Sequence, residues 1–472
     1  MRWRIVLVVL LVLLVPGLSG AAARSASPGT PTGPDAYWKY DGNGGTDALR
    51  YDVNVVYDFP TGKLRGRTTV LMRATQDLSS FTLDLLLPVS AVSVDGRAAR
   101  FARLTAHELK IAPTAPIAKG KAFKVTVAYA GRPGSYSYAG ERNWLADGSE
   151  VVTMNQPHMA PWWFPSNDHP SDKATFDIRV NVPRSKEVVS NGTRVARVVN
   201  GTRATTHWRM TDPMATYLAF FAAGDYQVES GRSSRGIPYY NAVSQRLPSG
   251  DRSVALKVLR RTGAITDWLE TWLGDYPFTS TGGLVTGFDV GFALENQTRP
   301  TYGPWIYTGV VVHELAHQWF GDSVAVQRWR DIWINEGFAT FAEVAYDAAH
   351  GGPSIGGWLN RAYDQQCRQS GSDFWRLNLA NPGASHLFDG PVYDRGAMVL
   401  AALRNRLGST AFNGLLRAWV AAHRDGNATV DQFEALAEAR TGQDLDGFFD
   451  AWLRDGTVPA GTSANGLDHT CP

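Results

Sequence analysis

The sequence predicts a multidomain α+β protein in which an N-terminal antiparallel β-sandwich precedes a mainly helical domain. In the first half of the chain, apolar and polar residues alternate, as in residues 123–127 and 176–180, and this period of two is typical of half-buried strands. The second half changes to a helical period, most clearly in residues 251–273. With 472 residues, of which 44% are hydrophobic and 19% charged, the chain can bury the cores of two or three domains. This excludes a wholly disordered or fibrous protein.

Composition changes along the chain suggest the domain limits. A leader at 24–36 is rich in Ser, Pro, Thr and Gly, which is typical of disorder. The polar, Gly- and Ser-rich segment 229–236 marks a boundary, giving a β-sandwich domain over 37–230 and a second domain over 231–458. The remaining residues, 459–472, are expected to form a flexible tail. Helices are expected in the second domain at 251–273, 310–320, 334–349, 393–407, 411–423, 430–441 and 445–453.

The first 23 residues have the pattern of an export signal. Arg2 and Arg4 precede an apolar run over residues 5–15, a Pro-Gly break and three alanines, so we expect cleavage near Ala23 and a secreted protein. The apolar run is shorter than the roughly 18 residues that span a bilayer, so no stable membrane anchor is expected. A retained anchor is the alternative.

Charge and cysteine content limit the partners. The formal net charge is +2 and no block of lysines or arginines occurs, so nucleic acid is not an expected partner. The two cysteines, Cys367 and Cys471, are too few for a disulfide-rich scaffold and too far apart for a CxxC motif. In an oxidising compartment they can pair and tie the tail to the body of the protein. Two free thiols are the alternative.

The strongest functional signal is the sequence HELAH at 313–317, which has the form HExxH. Residues four apart on a helix share a face, so the imidazoles of His313 and His317 can bind one Zn²⁺. Glu314 then faces the attacking water as a base. A further acid, Glu336, follows His317 after eighteen residues, and two histidines with one carboxylate leave a coordination position for water. The alternative is an accidental motif without metal.

The segment 313–343, HELAHQWFGDSVAVQRWRDIWINEGFATFAE, resembles the zinc aminopeptidases of family M1. The pattern of that family is HExxH, eighteen residues, and then Glu in a W-x-N-E-G setting. The resemblance implies that His313, His317 and Glu336 hold one Zn²⁺ per chain and that Glu314 is the general base.

The resemblance covers about residues 48–458. It implies a thermolysin-like, mainly helical zinc peptidase domain after the sandwich, in a short form that lacks the helical C-terminal domains of many members. The sequence FALEN at 292–296 is similar to the GAMEN exopeptidase motif of the family, with Phe for Gly and Leu for Met. By that resemblance, Glu295 binds the free α-amine of the substrate, and Ala293 and Asn296 belong to the same substrate-binding segment.

Two further site residues follow from the resemblance. Gln156 lies where family members carry Glu or Gln, and it would contact the amine end of the substrate. Tyr393, which precedes Asp, Arg and Gly, matches a tyrosine that donates to the oxyanion formed during peptide hydrolysis. By its local pattern alone, Tyr393 is an aromatic core residue at a helix start. Glu343, seven residues after Glu336, either braces a metal ligand or is a solvated acid.

These patterns predict a secreted zinc aminopeptidase that hydrolyses the N-terminal bond of peptides with a free N-terminus. One alternative is a zinc metalloendopeptidase with the same metal site but no free-amine requirement. Another is a non-catalytic peptide-binding module, whose mark would be a decayed metal site. A hydrolase of non-peptide substrates such as an epoxide, an activity of some family members, is a further alternative.

Overall fold

The computed structural model describes residues 25–369 and 371–471. The expected signal peptide at 1–23 lies outside these residues. A β-rich domain is followed by a helical domain, which confirms the predicted fold class. Within the described ranges, no helix combines the length and the apolar character needed to cross a membrane.

The N-terminal domain contains one large sheet and two small ones. Its strands are β1 (Ser27–Pro28), β2 (Thr46–Asp58), β3 (Lys63–Ala74), β4 (Leu78–Asp84), β5 (Val89–Val94), β6 (Arg97–Ala98), β7 (Arg100–Arg103), β8 (Glu108–Ala112), β9 (Ala122–Gly131), β10 (Leu145–Ala146), β11 (Val151–Val152), β12 (Ala174–Pro183), β13 (Glu187–Ser190), β14 (Thr193–Asn200), β15 (Arg203–Met214) and β16 (Phe221–Gly224). The large sheet has the order β14-β15-β12-β2-β3-β9-β5-β6, and the small sheets have the orders β1-β4-β8-β7 and β10-β11-β16-β13.

The large sheet is mixed, whereas the sequence predicted an antiparallel sandwich. Strands β2 and β12 pair in parallel. More than a hundred residues separate them, so their connection is a crossover rather than the hairpin that antiparallel neighbours use. The alternation seen in the sequence is confirmed in β9, where Phe123, Val125, Val127 and Tyr129 are buried.

The leader is packed against the body of the protein, so the expectation of a disordered segment at 24–36 is wrong for the described part. Strand β1 pairs with β4. Asp35 is only 4% exposed and accepts hydrogen bonds from the backbone of Tyr37 and of Trp329, both at 2.7 Å. Polar composition favours disorder only when the polar groups find no partners in the fold.

The second domain begins with a four-stranded sheet. Its strands, in sheet order, are β17 (Tyr226–Arg232), β18 (Pro238–Ser244), β19 (Thr281–Val285) and β20 (Thr301–Tyr302). The expected boundary at residues 230/231 is therefore wrong, because it falls inside strand β17. Segment 229–236 belongs to the β17–β18 hairpin rather than to a linker, and turns and linkers share the same Gly- and Ser-rich composition.

Helices form most of the second domain. They are α1 (Ser249–Leu259), α2 (Thr262–Leu273), α3 (Thr308–Ala316), α4 (Trp333–Ala349), α5 (Ile355–Cys367), α6 (Asp373–Arg376), α7 (Gly390–Leu407), α8 (Ser409–His423), α9 (Val430–Thr441) and α10 (Asp446–Phe449), with a short two-stranded sheet of β21 (Ala325–Val326) and β22 (Asn427–Ala428). The single helix predicted over 251–273 is divided into α1 and α2, and helices α5 and α6 were not predicted.

The C-terminal segment is also packed, so the expectation of a flexible tail at 459–472 is wrong for the described part. Cys367 and Cys471 form a disulfide with an S–S distance of 2.03 Å. The hydroxyl of Tyr363 donates to the carbonyl of Pro459 at 2.8 Å, and Leu467 is 2% exposed. The disulfide and these contacts hold the tail on helix α5.

Candidate active site

The three predicted metal ligands converge between helices α3 and α4. His313 lies in α3, His317 directly follows that helix, and Glu336 lies in the first turn of α4. The Oε2 atom of Glu336 is 3.3 Å from Nε2 of His313 and 3.3 Å from Nε2 of His317. All three side chains are buried. The helical spacing of the HExxH motif therefore places both imidazoles on one face, as predicted.

The outer nitrogen of each imidazole is held by an acceptor. Nδ1 of His313 donates to Oε1 of Glu343 at 2.8 Å, and Nδ1 of His317 donates to the carbonyl of Phe320 at 3.0 Å. These bonds fix the ring orientations and place both Nε2 atoms 3.3 Å from Glu336, where they would face a bound metal. Of the two alternatives for Glu343, this contact with a predicted ligand favours the brace over a solvated acid.

The donor set fits zinc. Two imidazole nitrogens and one carboxylate oxygen lie within 4.8 Å of one another, which is the combination of an open zinc centre. Although burial raises the pKa of Glu336, the neighbouring histidines lower it to about 2, so this carboxylate is ionised. A second close group, Glu295, Glu314 and His317, shares His317 with the first and belongs to the same centre.

A close contact between α4 and α7 positions Tyr393. A Cβ atom on Gly337 would lie 2.9 Å from the backbone of Gly396, closer than real Cβ contacts, and a Cβ on Gly396 would lie 2.8 Å from Cα of Gly337. The two glycines therefore allow the helices to touch. As a result, the ring of Tyr393 stacks on that of His313 with a centroid distance of 6.0 Å.

Glu314 lies beside the predicted ligands, but its side chain takes no part in the hydrogen bonds among them. It is 4% exposed, and its Oε2 atom has no hydrogen-bond partner among the described residues. Burial raises its pKa to about 8, against the charges of His313 and His317, which lower it. A carboxyl group with a pKa near neutrality can both accept and return a proton.

Two side chains of the N-terminal domain hold Glu295 in place. It is 2% exposed and accepts hydrogen bonds from Nε2 of Gln156 at 3.0 Å and from the hydroxyl of Tyr217 at 3.1 Å. Burial raises its pKa. The sequence predicted that Glu295 and Gln156 act together at one end of the substrate, and the structure brings them into contact. Tyr217 was not predicted, because a buried aromatic residue gives no functional signal in the sequence.

The ligands open into a cavity of about 230 Å³. Eight of the nine predicted site residues line it, together with Phe292, Trp305, Tyr307, Val310 and Glu343. The three aromatic side chains are partly exposed, with Tyr307 at 53%. Trp305 and Tyr307 were missed by the sequence analysis, since no motif marks them.

Asn296 is the predicted site residue that does not line the cavity. It is fully buried, and its side-chain amide donates to the carbonyl of Leu218 at 3.0 Å. Asn296 therefore fixes the loop that carries Glu295 against the N-terminal domain. The expectation that it binds substrate is replaced by this supporting contact.

Comparisons with known proteins agree with this geometry. The family model for the peptidase M1 N-terminal domain matches residues 47–218, and the model for the peptidase family M1 domain matches residues 281–452. Aminopeptidase N of Lactococcus lactis subsp. cremoris is 28% identical over 357 residues, which are 70% of this chain and 41% of the relative. Aminopeptidase 2 of Candida albicans is 25% identical over 450 residues, 86% of this chain and 47% of the relative. The chain thus spans less than half the length of these relatives.

Solved structures match this chain over a larger share of both sequences. A mutant of the M1 zinc metallopeptidase of Deinococcus radiodurans bound to a Tyr-Ser-Ala substrate is 26% identical with a TM-score of 0.82, over 91% of this chain and 99% of that chain. A two-domain M1 zinc metallopeptidase mutant bound to L-arginine is 26% identical with a TM-score of 0.81, over 90% and 98%. Since the two family models match in order over most of the sequence, the chain belongs to peptidase family M1.

Proposed function

We propose that this protein is a zinc aminopeptidase that removes the N-terminal residue of peptides. The observation that carries the proposal is the position of Glu295, whose buried carboxylate lies within 4.8 Å of His317 and Glu314. A buried carboxylate beside a cleavage site is suited to bind the ammonium group of a peptide N-terminus. The first peptide bond then lies next to Glu314.

The metal would be held by His313, His317 and Glu336, one Zn²⁺ per chain. When bound, zinc supplies Lewis acidity toward a water and toward the carbonyl oxygen of the scissile bond. Glu343 and the carbonyl of Phe320 keep the two imidazoles in the orientation that this binding requires.

The proposed proton transfers belong to Glu314. Its carboxylate removes a proton from the attacking water and returns it to the leaving amine.

Tyr393 and the wall of the cavity complete the proposed mechanism. Burial raises the pKa of Tyr393 well above its usual value, so its hydroxyl keeps its proton and donates to the oxyanion as charge develops. Gln156 holds Glu295 and contributes an uncharged contact at the amine end. Ala293 lines the same wall, and its backbone is proposed to pair with the bound peptide.

Peptide pairs that differ only in N-acetylation test this proposal. We expect release of the first residue from the free peptide, no cleavage of the acetylated one, and loss of activity when a chelator removes the metal. Cleavage of both peptides at internal bonds would instead support the metalloendopeptidase. Binding without cleavage by metal-loaded protein would support the peptide-binding module.

We also infer that the protein is exported and acts outside the cell. The inference is supported by the basic, apolar and small-residue pattern of residues 1–23 and by the Cys367–Cys471 disulfide, which suits an oxidising compartment. N-terminal sequencing of protein recovered from the medium of producing cells should find a start near Arg24. Recovery of the intact chain only from inside the cells would contradict export.

A further inference from the structure

A second group of buried metal-binding side chains lies in the N-terminal domain. Asp84 ends strand β4 and Glu108 begins strand β8, and the two residues are direct partners in this antiparallel pair. His107 immediately precedes Glu108. Asp84 and Glu108 are completely buried, and His107 is 4% exposed. None of these residues lines the cavity described above.

Each carboxyl group of this cluster has at least one oxygen without a hydrogen-bond partner in the described part of the chain. Oδ2 of Asp84 accepts from the side chain of Asn43 at 3.0 Å and from the backbone of Asp168 at 2.8 Å. Within the described part of the chain, Oδ1 of Asp84 and both oxygens of Glu108 have no hydrogen-bond partner. Nε2 of His107 is 3.9 Å from Oδ1 of Asp84 and from Oε1 of Glu108. A ligand atom from each of the three residues lies within 4.8 Å of the others.

Among the described residues, His107 is the only basic side chain within 4 Å of the two carboxyl groups. Among the described residues, neither Asp84 nor Glu108 forms an ion pair with lysine or arginine. The nearby His158 is already bonded to Asp41 at 2.6 Å and to Glu141 at 3.3 Å. Two buried carboxyl groups without a counter-charge are costly, and either a shared proton or a bound cation removes that cost.

We propose that Asp84, His107 and Glu108 bind a structural divalent cation of the zinc or manganese class. Two carboxylates and one imidazole form the mixed oxygen and nitrogen set that these metals accept. Nε2 of His107 donates a hydrogen bond to the carbonyl oxygen of Tyr40 at 2.9 Å, and a cation that displaces this proton would gain both atoms as donors. Calcium is less suited, because it prefers oxygen ligands throughout.

The cation would join three parts of the N-terminal domain. Strands β4 and β8 supply the carboxylates, and Tyr40 brings in the segment that follows the packed leader. The backbone of Asp168 bonds to the same Asp84, so the segment after Gln156 is attached to this centre as well. The site is separate from the proposed zinc centre and does not depend on the proposed activity.

Metal analysis of full-length variants tests the proposal. In His313→Ala/His317→Ala protein, which lacks the peptidase centre, incubation with Zn²⁺ or Mn²⁺ followed by desalting should leave about one equivalent of metal. Adding Glu108→Gln should reduce this content at least about tenfold. Glu438→Gln is the matched control, because Glu438 also lies close to two acids, Asp444 and Asp446, but in a more exposed group. This control should leave the metal content unchanged.

The proposal is overturned if the double variant retains neither metal or if Glu108→Gln does not change the content. A metal-free result would favour a proton shared by Asp84 and Glu108. Should the double variant fail to fold, anomalous diffraction from crystals of the unaltered protein grown with Mn²⁺ decides the question. A peak between Asp84, His107 and Glu108 supports the site, and a peak at the peptidase centre alone contradicts it.

Discussion

The side-chain amide of Gln156 donates a hydrogen bond to Glu295 at 3.0 Å, from the N-terminal domain into the catalytic domain. Tyr217 donates a second bond to the same carboxylate oxygen, at 3.1 Å. The group proposed to bind the substrate amine is thus oriented by side chains that its own domain does not supply. The N-terminal domain is therefore part of the site and not only a support for it.

Glu295→Gln should lower kcat/KM for peptides with a free N-terminus. The substitution keeps the size of the side chain but removes its charge, at a cost of about 3 kcal/mol, or roughly a hundredfold in kcat/KM. Gln156→Ala removes one neutral donor and should cost about 1 kcal/mol, or roughly fivefold. Steady-state kinetics with an aminoacyl substrate measures both values. Equal effects of the two substitutions would argue against an ammonium partner at Glu295.

Tyr393→Phe should lower kcat by about a hundredfold or more with little change in KM, because the lost donor acts mainly in the transition state. Tyr307→Phe is the matched control, since Tyr307 lines the same cavity but is 53% exposed. The control should stay within about twofold of the unaltered enzyme. A loss of the same size in both variants would remove Tyr393 from the mechanism.

Glu343→Ala should weaken metal binding. Its carboxylate accepts the hydrogen bond from Nδ1 of His313 at 2.8 Å, and loss of such a partner typically reduces metal affinity about 10- to 100-fold. Competition with a chromophoric zinc chelator measures the change. Asp347→Ala, an exposed acid on the same helix, serves as control and should bind metal normally. Unchanged affinity in Glu343→Ala would show that the hydrogen bond is dispensable.

The disulfide should stabilise the catalytic domain. It joins residues 104 apart in the sequence, and a disulfide that closes a loop of that length is worth about 2–5 kcal/mol. Cys367→Ser/Cys471→Ser should lower the free energy of unfolding by this amount in urea denaturation, and reductant should destabilise only the unaltered protein. Equal stability of both proteins would mean that contacts such as that between Tyr363 and Pro459 hold the tail alone.

The convergence of His313, His317 and Glu336 could be predicted because it rests on local geometry and a motif. The pitch of a helix fixes the relation of His313 to His317, and a dense motif identifies Glu336. Tyr217 could not be predicted, because it reaches Glu295 across 78 positions of sequence, through the packing of one domain on the other. Asn296 is the reverse case. It was predicted to bind substrate because it belongs to a motif, but a motif does not show the direction in which a side chain points.

The segments outside the motifs were predicted less well. The leader and the tail have the composition of disorder, yet Asp35 and Leu467 are buried by partners distant in the sequence. Asp84 and Glu108 gave no signal, because a polar residue at the end of a strand is ordinary until its neighbours are known. In each case the deciding contact is tertiary, and period and composition report only local structure.

Glu314→Gln is the most direct test of the proposed mechanism. The amide has nearly the size of the carboxylate but cannot accept the proton of the attacking water, and loss of a general base typically costs about 10²- to 10⁴-fold in rate. We predict that turnover of an aminoacyl substrate falls by at least this factor while elemental analysis still finds the zinc of the peptidase centre. Near-normal turnover with bound metal would contradict the account.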